Sequence, residues 1–346
     1  MNLISFSAAR SNQRTNRASL WYAQGKKSSD SELYAYDRLG TEFINLHCVP
    51  KFNLPADGAY FMIGSCFARG LENVLAGNGF DVRSSSKEFE RFGEAVAYKT
   101  TPLGATNRYN TGAILNEFRW ALEPAVPFPE DAIVDIGDGV VFDPHMNPTL
   151  RLSDRATTLE RRRVYTGVAK ELAETDVVII TLGLVETWLD TRVNLITNVT
   201  PDPRIGRADP ERFLFKRLGY MDNLENLEAA HAILARYGKP GQKIIVTVSP
   251  VPLLTTFTTE DVIVANAYSK NTLRAVATDF AERHANVDYF PSYEMVMNAD
   301  LDAAWIPDRR HVKPEYANQI MRFFIKNWIS GRQDRQISAQ LSEAVY

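Results

Sequence analysis

The stretch AYFMIGSCFARGLENVL at 59–75 passes from an apolar strand into an amphipathic helix through one tight turn. Its first five residues are continuously apolar, which is typical of a strand buried on both faces. Beyond the turn the apolar side chains recur at the spacing of one helix face: Phe67, Leu71, Val74 and Leu75. The sequence GNGF at 77–80 ends this helix. The Gly-Ser-Cys sequence at 64–66 therefore lies at a strand-to-helix turn.

Three further apolar runs have the length of a strand, and helical patterns lie between and after them. The runs are DVVIITL at 176–182, KIIVTV at 243–248 and VDYF at 287–290. Helices are predicted at 223–237, at 264–284 and from Pro314 onward. This alternation predicts an α/β fold with a mainly parallel central sheet and helices on both faces. Ligands of such sheets bind beyond the carboxyl ends of the strands. Those ends are followed here by 64–66, 183–186, 249–250 and 292–293.

The composition is that of an ordinary globular protein of 346 residues, with a formal net charge of −3. This charge gives no electrostatic reason to expect a nucleic acid or an anionic membrane as a partner. The cluster ERRRV at 160–164 is expected to be a solvated helix face. No apolar run approaches the roughly 18 residues of a membrane span. Two free cysteines and an N-terminus without an export signal predict a cytoplasmic protein.

The chain is expected to form one compact domain with insertions at 46–330, because neither an internal repeat nor a long low-complexity linker divides it. Residues 1–45 are expected to form an N-terminal arm that is partly irregular, since the segment 1–30 is polar and rich in Ser, Asn and Arg. Residues 331–346 are expected to form a C-terminal tail.

Cys66 is the first candidate for chemistry. Free N–H groups at a helix N-terminus stabilise negative charge, so they lower the pKa of a thiol and can form an oxyanion hole. Cys66 could therefore be a thiolate at neutral pH, whereas an unassisted serine could not be an alkoxide. The alternative for a free cysteine is a structural role in the core.

A second candidate lies in PDRRHVKPEY at 307–316, just before the last predicted helix. Asp308 and His311 stand three residues apart there. A histidine can act as a general base, while a carboxylate fixes its tautomer and stabilises the imidazolium that forms. The sequence FDPHMNP at 142–148 also pairs an aspartate with a histidine and raises the question of a metal site. Its prolines, and the lack of a matching Cys/His pair, favour a loop.

Six ordered blocks of the sequence resemble the GSCFA family, within the SGNH (GDSL-type) hydrolase superfamily. The blocks are IGSCFA at 63–68, IITLGLVETW at 179–188, VTVSPVP at 246–252, NAYSKNTLRAV at 266–276, YFPSYEMV at 289–296 and DRRHVKPEYA at 308–317. Together they extend over roughly residues 46–328. The resemblance implies a three-layer SGNH-hydrolase-like (flavodoxin-like) fold.

The resemblance also implies roles for individual residues. The superfamily's first block is Gly-Asp-Ser, in which the serine is the nucleophile. Gly64 matches the glycine, Ser65 stands in place of the aspartate, and Cys66 occupies the place of the nucleophile. The last block, Asp-x-x-His, matches Asp308 and His311, so that His311 would shuttle the proton and Asp308 would orient it. Whether Ser65 or Cys66 is the working nucleophile stays open.

The oxyanion hole departs from the superfamily pattern. The third block is usually Gly-x-Asn-Asp, whose asparagine donates to the oxyanion, whereas GLVE at 183–186 lacks that donor. Either Asn110 or Gly104 could supply the missing contact, and Glu186 could hold a loop or a substrate hydroxyl. Backbone N–H groups of Cys66 and Phe67 would help to hold the oxyanion. The candidate oxyanion and substrate-binding residues are Ser65, Phe67, Gly104, Asn110, Gly183 and Glu186.

These features predict an O-acyltransferase or acyl-esterase that acts on a carbohydrate hydroxyl through a thioester on Cys66. The resemblance extends to Gly-Asn-Cys proteins of capsule biosynthesis and so implies a carbohydrate acceptor and a role in surface-polysaccharide synthesis. No bound cofactor is expected. Acyl-coenzyme A is the expected co-substrate, because a thiolate exchanges readily with another thioester. The alternative is a catalytically decayed SGNH-like module that binds a glycan or a protein partner.

Overall fold

A computed structural model describes residues 3–22, 34–85, 91–92 and 102–329 of the chain. In chain order its strands are β1 (Ala59–Gly64), β2 (Asp81–Val82), β3 (Val134–Asp135), β4 (Val141–Phe142), β5 (Val177–Leu182), β6 (Glu186–Asp190), β7 (Leu195–Ile196), β8 (Phe213–Arg217), β9 (Lys243–Val248) and β10 (Val287–Tyr289). The helices are α1 (Phe6–Thr15), α2 (Ala35–Arg38), α3 (Cys66–Gly77), α4 (Thr111–Leu122), α5 (Arg155–Ala169), α6 (Pro203–Ala208), α7 (Tyr220–Tyr237), α8 (Val262–Arg283), α9 (Ser292–Met297), α10 (Leu301–Ala304) and α11 (Pro314–Trp328). The tail expected at 331–346 lies outside the described residues.

The centre of the molecule is a parallel five-stranded sheet in the order β10-β9-β5-β1-β2. The four apolar runs of the sequence supply β1, β5, β9 and β10, so the predicted mixed α/β fold with a parallel central sheet is confirmed. Ile63 of β1 pairs with Ile180 of β5, which pairs with Val246 of β9. The strand order reverses between β1 and β5. Such a reversal opens a crevice at the carboxyl ends of the two strands.

Alternate side chains of the sheet enter two separate hydrophobic clusters, one on each face. Phe61, Ile63 and Ile180 pack in the first cluster with residues of α4, α5, α7 and α8. Tyr60 and Met62 pack in the second with residues of α3, α9 and α11. Helices therefore cover both faces of the sheet, as the continuous apolar strands predict.

The predicted helix boundaries are close to those observed. The helix after the Gly-Ser-Cys turn ends with Asn78 as its C-cap, and the last helix begins at Pro314. The helix predicted at 223–237 begins three residues earlier, at Tyr220. It begins there because the side chain of Asp222 accepts a hydrogen bond from the Gly219 N–H at 2.8 Å.

Two small antiparallel units were not predicted from the sequence. Strands β7, β6 and β8 form a three-stranded sheet, and β3 pairs with β4. Both are insertions relative to the parallel sheet. The three-stranded sheet begins at Glu186, directly beyond the carboxyl end of β5, and therefore forms one wall of the crevice.

The N-terminal segment contains a helix, α1, none of whose residues is buried. Further along the chain the Gly40 N–H donates to the Asn298 carbonyl at 2.9 Å, and Ile44 is buried. Within the described ranges, no helix combines the length and the apolar character that crossing a membrane would require.

The arginine cluster at 160–164 is not the solvated face that the sequence predicts. Arg162 is 2% exposed, and its guanidinium donates to Glu117 at 2.6 Å and to Asp143 at 2.7 Å. Glu117 also accepts a hydrogen bond from Nε of Arg108 at 2.9 Å. Of the three arginines in the cluster, only Arg163 is exposed. The expectation fails because carboxylates distant in sequence compensate the buried charge.

Candidate active site

The strand-to-helix turn at 64–66 requires glycine at its first position. Gly64 has a φ of 143°, and a Cβ atom there would lie 2.2 Å from the carbonyl oxygen of Thr181 on β5. Its own carbonyl accepts a hydrogen bond from the Arg108 N–H at 2.7 Å. Ser65 is the N-cap of α3 and Cys66 its first residue. The turn thus fixes the thiol at the carboxyl end of the central sheet.

Ser65 and Cys66 open into a cavity of about 550 Å³ at the crevice between β1 and β5. The loops after β5 and β9 contribute Gly183 and Ser249 to its wall, as the parallel sheet predicts. His311 lies on the same wall, although 245 positions separate it from Cys66 in the chain. The loop after β10 does not reach the cavity, because Ser292 is buried and hydrogen-bonded to Thr247 at 2.6 Å.

The Cys66 thiol has a raised pKa, and burial is the main cause. The charge of Arg310, the backbone N–H of Phe67 and the charge of Lys270 oppose this rise in that order. The thiolate expected at neutral pH is therefore not favoured in the ligand-free site, since desolvation outweighs the helix N-terminus. The thiol needs a base to accept its proton before it can attack.

Asp308 and His311 form the hydrogen-bonded pair that their spacing suggests. Nδ1 of His311 donates to Oδ2 of Asp308 at 2.6 Å, and Oδ1 accepts from the backbone N–H groups of residues 310 and 311 at 2.9 Å each. These bonds lower the pKa of Asp308, with the His311 bond first among them. Both side chains are nearly half exposed. In the neutral ring this bond places the proton on Nδ1 and leaves the Nε2 lone pair as an acceptor.

That lone pair accepts a hydrogen bond from Arg310, not from Cys66. Nη1 of Arg310 lies 3.1 Å from Nε2 of His311. Within the described ranges no hydrogen bond joins Cys66 to His311, although both line the cavity. A guanidinium therefore occupies the only ring nitrogen that could take the thiol proton.

Lys270 is a charged group near the thiol that the sequence reasoning missed. It is 1% exposed on α8, and its Nζ donates to the carbonyl oxygen of Gly183 at 2.6 Å. Burial lowers its pKa to about 7, while the nearby Cys66 opposes that shift. The signal in the sequence was a lysine on the apolar face of a predicted helix, in the block NAYSKNTLRAV.

The structure brings most of the predicted oxyanion and substrate-binding residues to the cavity, but not all of them. Gly104, Gly183 and Glu186 line it together with Ser65. The Phe67 side chain is buried in the second hydrophobic cluster, and only its backbone N–H faces Sγ of Cys66.

Asn110 does not line the cavity. Its amide oxygen caps α4 by accepting from the Ala113 N–H at 2.8 Å, and its amide nitrogen donates to Thr187 and to the Thr197 carbonyl. The proposed oxyanion contact by Asn110 is therefore ruled out by its position in this structure, since both ends of the amide are engaged elsewhere.

Three other amide side chains lie on the cavity wall. Asn107, Asn147 and Asn198 line the cavity beside Tyr109. Asn147 donates to the Tyr109 hydroxyl at 2.9 Å, whereas the amide oxygen of Asn107 is buried without a hydrogen-bond partner. Asn107 is only three residues from Asn110 in TNRYNTG, and it faces the cavity where Asn110 does not.

Glu186 has a loop-holding role, one of the two that the sequence suggested. Its carboxylate accepts from the Thr256 hydroxyl at 2.7 Å and from the Phe257 N–H at 2.9 Å. The loop that it holds brings the Phe257 ring to 5.1 Å from that of Trp188, and both rings line the cavity. One side of the cavity is thus lined by aromatic and aliphatic side chains and is apolar, whereas the amide-rich side is polar.

Asp143 and His145 are buried near this region but belong to the charge network described above. Asp143 accepts from Arg162, and the His145 ring packs edge-on against Trp120 at 5.2 Å. Burial lowers the pKa of His145 to about 3. In the part of the chain that the structure describes, no three His, Cys, Asp or Glu side chains come together as ligands for a metal ion.

Comparison with known proteins adds one result to this geometry. The sequence pattern of the GSCFA family matches residues 59–324, from β1 into α11. No match was found among the curated proteins or among the solved structures. The matched segment covers well over half of the chain and includes the Gly-Ser-Cys turn and the Asp308–His311 pair. This protein therefore belongs to the GSCFA family.

Proposed function

We propose that the chain is an SGNH-like acyl-transfer enzyme, which carries an acyl group on Cys66 as a thioester and passes it to a carbohydrate hydroxyl or to water. The observation that carries the proposal is that Cys66, at the N-terminus of α3, opens into the same cavity as a histidine whose other ring nitrogen is held by Asp308. The sheet order supports an SGNH-like three-layer arrangement, because it places the nucleophile at the reversal point.

In the first step the Cys66 thiol gives its proton to Nε2 of His311, and the sulfur attacks the acyl carbonyl of a thioester such as acyl-coenzyme A. The donor's C–S bond breaks, its thiolate takes the proton from the imidazolium, and the acyl group remains on Sγ. In the second step Nε2 takes the proton of the acceptor hydroxyl, whose oxygen attacks the acyl carbon. The C–Sγ bond breaks, and the Cys66 sulfur takes the proton back.

The two sides of the cavity support the choice of substrates. The amide and hydroxyl groups of Asn107, Tyr109 and Asn147 are suited to a hydroxyl-rich acceptor such as a sugar. Trp188 and Phe257 offer apolar rings on which a sugar face or an acyl chain can pack. The N–H groups of Cys66 and Phe67, which lie against Sγ, are the nearest donors for an oxyanion. A cytoplasmic location would supply acyl-coenzyme A, and this location stays a prediction.

A binding module with a decayed catalytic site is the second candidate. Two observations favour it: burial raises the pKa of the Cys66 thiol, and Arg310 rather than the thiol contacts His311. In that case the cavity would bind a glycan or a protein partner without covalent chemistry.

Intact-protein mass spectrometry after incubation with acetyl-coenzyme A distinguishes the acyl-transfer enzyme from the binding module. The proposal expects one added acetyl group on the wild type and on Cys48→Ser, and none on Cys66→Ala. Retention of the adduct in Cys66→Ala and its loss in Ser65→Ala would assign the nucleophile to Ser65. The enzyme proposal is wrong if no variant forms an adduct and the wild type hydrolyses 4-nitrophenyl acetate no faster than Cys66→Ala does. The binding module then remains.

A further inference from the structure

Arg310 is a cation beside the proposed chemistry, and the proposed acyl transfer does not use it. It lies in the loop between α10 and α11 and lines the cavity beside His311. One of its nitrogens donates to Nε2 of His311, which is a neutral acceptor. Its Nε is buried and has no hydrogen-bond partner. The guanidinium therefore retains donors that its surroundings do not satisfy.

Neighbouring arginines are paired with carboxylates, but Arg310 is not. Arg309 donates to Asp302 at 2.7 Å, and Arg69, another cavity residue, contacts Glu72 at 2.5 Å. Among the residues that the structure describes, Arg310 forms no ion pair with an acidic side chain. The one carboxylate that lines the cavity, Glu186, is engaged with the loop at 256–257.

The interior near Cys66 is correspondingly electropositive. Burial raises the pKa values of Cys66 and Tyr109, and the charge of Arg310 opposes both rises, so its field reaches both side chains. Lys270 lies buried near the same thiol without a carboxylate partner among the described residues. Oγ of Ser65, which is 3% exposed on the cavity wall, is a further buried donor without a hydrogen-bond partner among the described residues. A buried polar group left unsatisfied requires an explanation, and a bound ion is one.

We propose that Arg310 binds an anionic group of the substrate, a phosphate or a carboxylate, beside Cys66, and that this contact withdraws the guanidinium from Nε2 of His311. The inference rests on the proposed function and adds the substrate class to it: the acyl donor or the acceptor carries a negative charge near the reacting carbonyl. An arginine donates more strongly to phosphate or carboxylate than to a neutral imidazole. Binding of such a substrate frees the base, so the thiol proton is accepted only when the substrate is present.

The first test compares alkylation of Cys66 by iodoacetate, an anion, with alkylation by neutral iodoacetamide. The thiolate attacks both reagents and displaces iodide, so the ratio of the two rates cancels any change in the thiol pKa. Cys48→Ser serves as the background, which removes the second thiol. In the folded protein the iodoacetate-to-iodoacetamide ratio is expected to exceed that of the urea-unfolded protein by about tenfold or more.

The matched variants are Arg310→Gln and Arg309→Gln. The first is expected to reduce the ratio about tenfold and the second to leave it within about twofold, because Arg309 points to Asp302. Arg310→Lys keeps the charge and is expected to retain part of the preference. Thermal unfolding without ligand shows whether each variant is folded before its ratio is interpreted.

The second test does not depend on thiol reactivity. Inorganic pyrophosphate is expected to raise the unfolding temperature of the wild type and of Arg309→Gln, but not that of Arg310→Gln. Succinate and a hexose 1-phosphate then distinguish the source of the anion: stabilisation by the first that requires Arg310 places the anion on the acyl group of the donor, and by the second on the acceptor.

The proposal is wrong if pyrophosphate raises the unfolding temperature of Arg310→Gln as much as that of the wild type. It is also wrong if Cys66 is alkylated at measurable rates and Arg310→Gln leaves the iodoacetate-to-iodoacetamide ratio unchanged. Failure of the proposed function looks different. In that case Cys66 forms no adduct with acetyl-coenzyme A, while the Arg310-dependent pyrophosphate shift decides the anion site by itself.

Discussion

Nη1 of Arg310 lies 3.1 Å from Nε2 of His311, the ring nitrogen that Asp308 leaves without a proton. The same nitrogen would have to accept the proton of Cys66. Burial keeps that thiol protonated in the ligand-free site, since it raises the pKa. The proposed nucleophile and its proposed base therefore share a cavity but are not in contact.

Asp308→Asn is expected to slow acyl-adduct formation on Cys66 by about 10²- to 10⁴-fold. An asparagine amide can donate to Nδ1 of His311, which moves the ring proton to Nε2 and removes the proton acceptor. The free energy of unfolding is expected to change little, because both side chains of the pair are nearly half exposed. The adduct rate is measured by mass spectrometry over time, and stability by urea unfolding.

Asp302→Asn is the control for that substitution, since Asp302 is an exposed acid in the same region that pairs with Arg309. Equal loss of adduct formation in both variants would contradict a specific role for Asp308.

Lys270→Met is expected to change the pH dependence of stability. Burial lowers the pKa of Lys270 from its ordinary 10.5 to about 7. Between these values the unfolded chain binds the proton and the folded protein does not, so this group makes the wild type more stable as pH rises. The penalty of burying the lysine is complete below pH 7 and vanishes above its ordinary pKa. The advantage of Lys270→Met should therefore be largest at low pH and shrink by about 1.4 kcal/mol per pH unit through the window.

Urea unfolding at pH values from about 6.5 to about 9.5 measures this difference. Lys216→Met is the control, because Lys216 is exposed and pairs with Asp222. The substitution also removes the Lys270 hydrogen bond to Gly183. This loss changes the free energy of unfolding by the same amount at every pH, so it does not alter the slope of stability against pH. If the difference in the free energy of unfolding between Lys270→Met and the wild type did not vary with pH, the prediction of a lowered Lys270 pKa would be wrong.

The sequence predicts those features of the fold that depend on local patterns. The apolar run before Gly64 and the helical spacing after Cys66 define the first strand, turn and helix, and Pro314 marks the start of the last helix. The parallel sheet follows from the alternation of such elements. For the same reason the segments that follow β1, β5 and β9 could be expected to meet in one crevice.

The features that could not be predicted depend on pairing between residues far apart in the chain. Nothing in the sequence near Lys270 shows that its amine reaches Gly183, 87 positions away. Asn110 and Asn107 have the same side chain, and only the start of α4 decides that the first is a helix cap while the second faces the cavity. The contact between Arg310 and His311 is local, but a side-chain rotamer decides it.

Glu117→Gln is expected to destabilise the protein by about 3–5 kcal/mol, because it leaves two buried arginines without their shared anion. Glu117 accepts from Arg108 at 2.9 Å and from Arg162 at 2.6 Å, and all three side chains are buried. Arg108 also holds the cavity loop through its bonds to the carbonyls of Ala105 and Asn107. Activity should therefore fall with stability.

Glu160→Gln provides the comparison, since Glu160 pairs with Arg91 and Arg163 at a nearly half-exposed position. It is expected to change the free energy of unfolding by less than about 1 kcal/mol. Urea unfolding of both variants checks the prediction. Equal losses in the free energy of unfolding for the two substitutions would contradict it.

Gly64→Ala and Gly70→Ala are expected to change stability in opposite directions, although both glycines belong to the motif GSCFARG. At Gly64 the φ of 143° is unfavourable for alanine, and the new Cβ would lie 2.2 Å from the Thr181 carbonyl oxygen. A loss of about 3 kcal/mol or more is expected, together with displacement of Cys66. Gly70 lies inside α3, where a Cβ meets nothing within 4 Å. Alanine there should add about 0.5–1 kcal/mol by favouring the helix.

Urea unfolding measures both changes, and the rate of Cys66 alkylation reports whether the turn has moved. The alkylation rate should change in Gly64→Ala and stay at the wild-type value in Gly70→Ala, because only the first glycine sets the entry of the chain into α3. If Gly64→Ala were as stable as the wild type, the close approach of β1 to β5 at this turn would not hold in solution, and Cys66 would not be fixed at the edge of the sheet as described here.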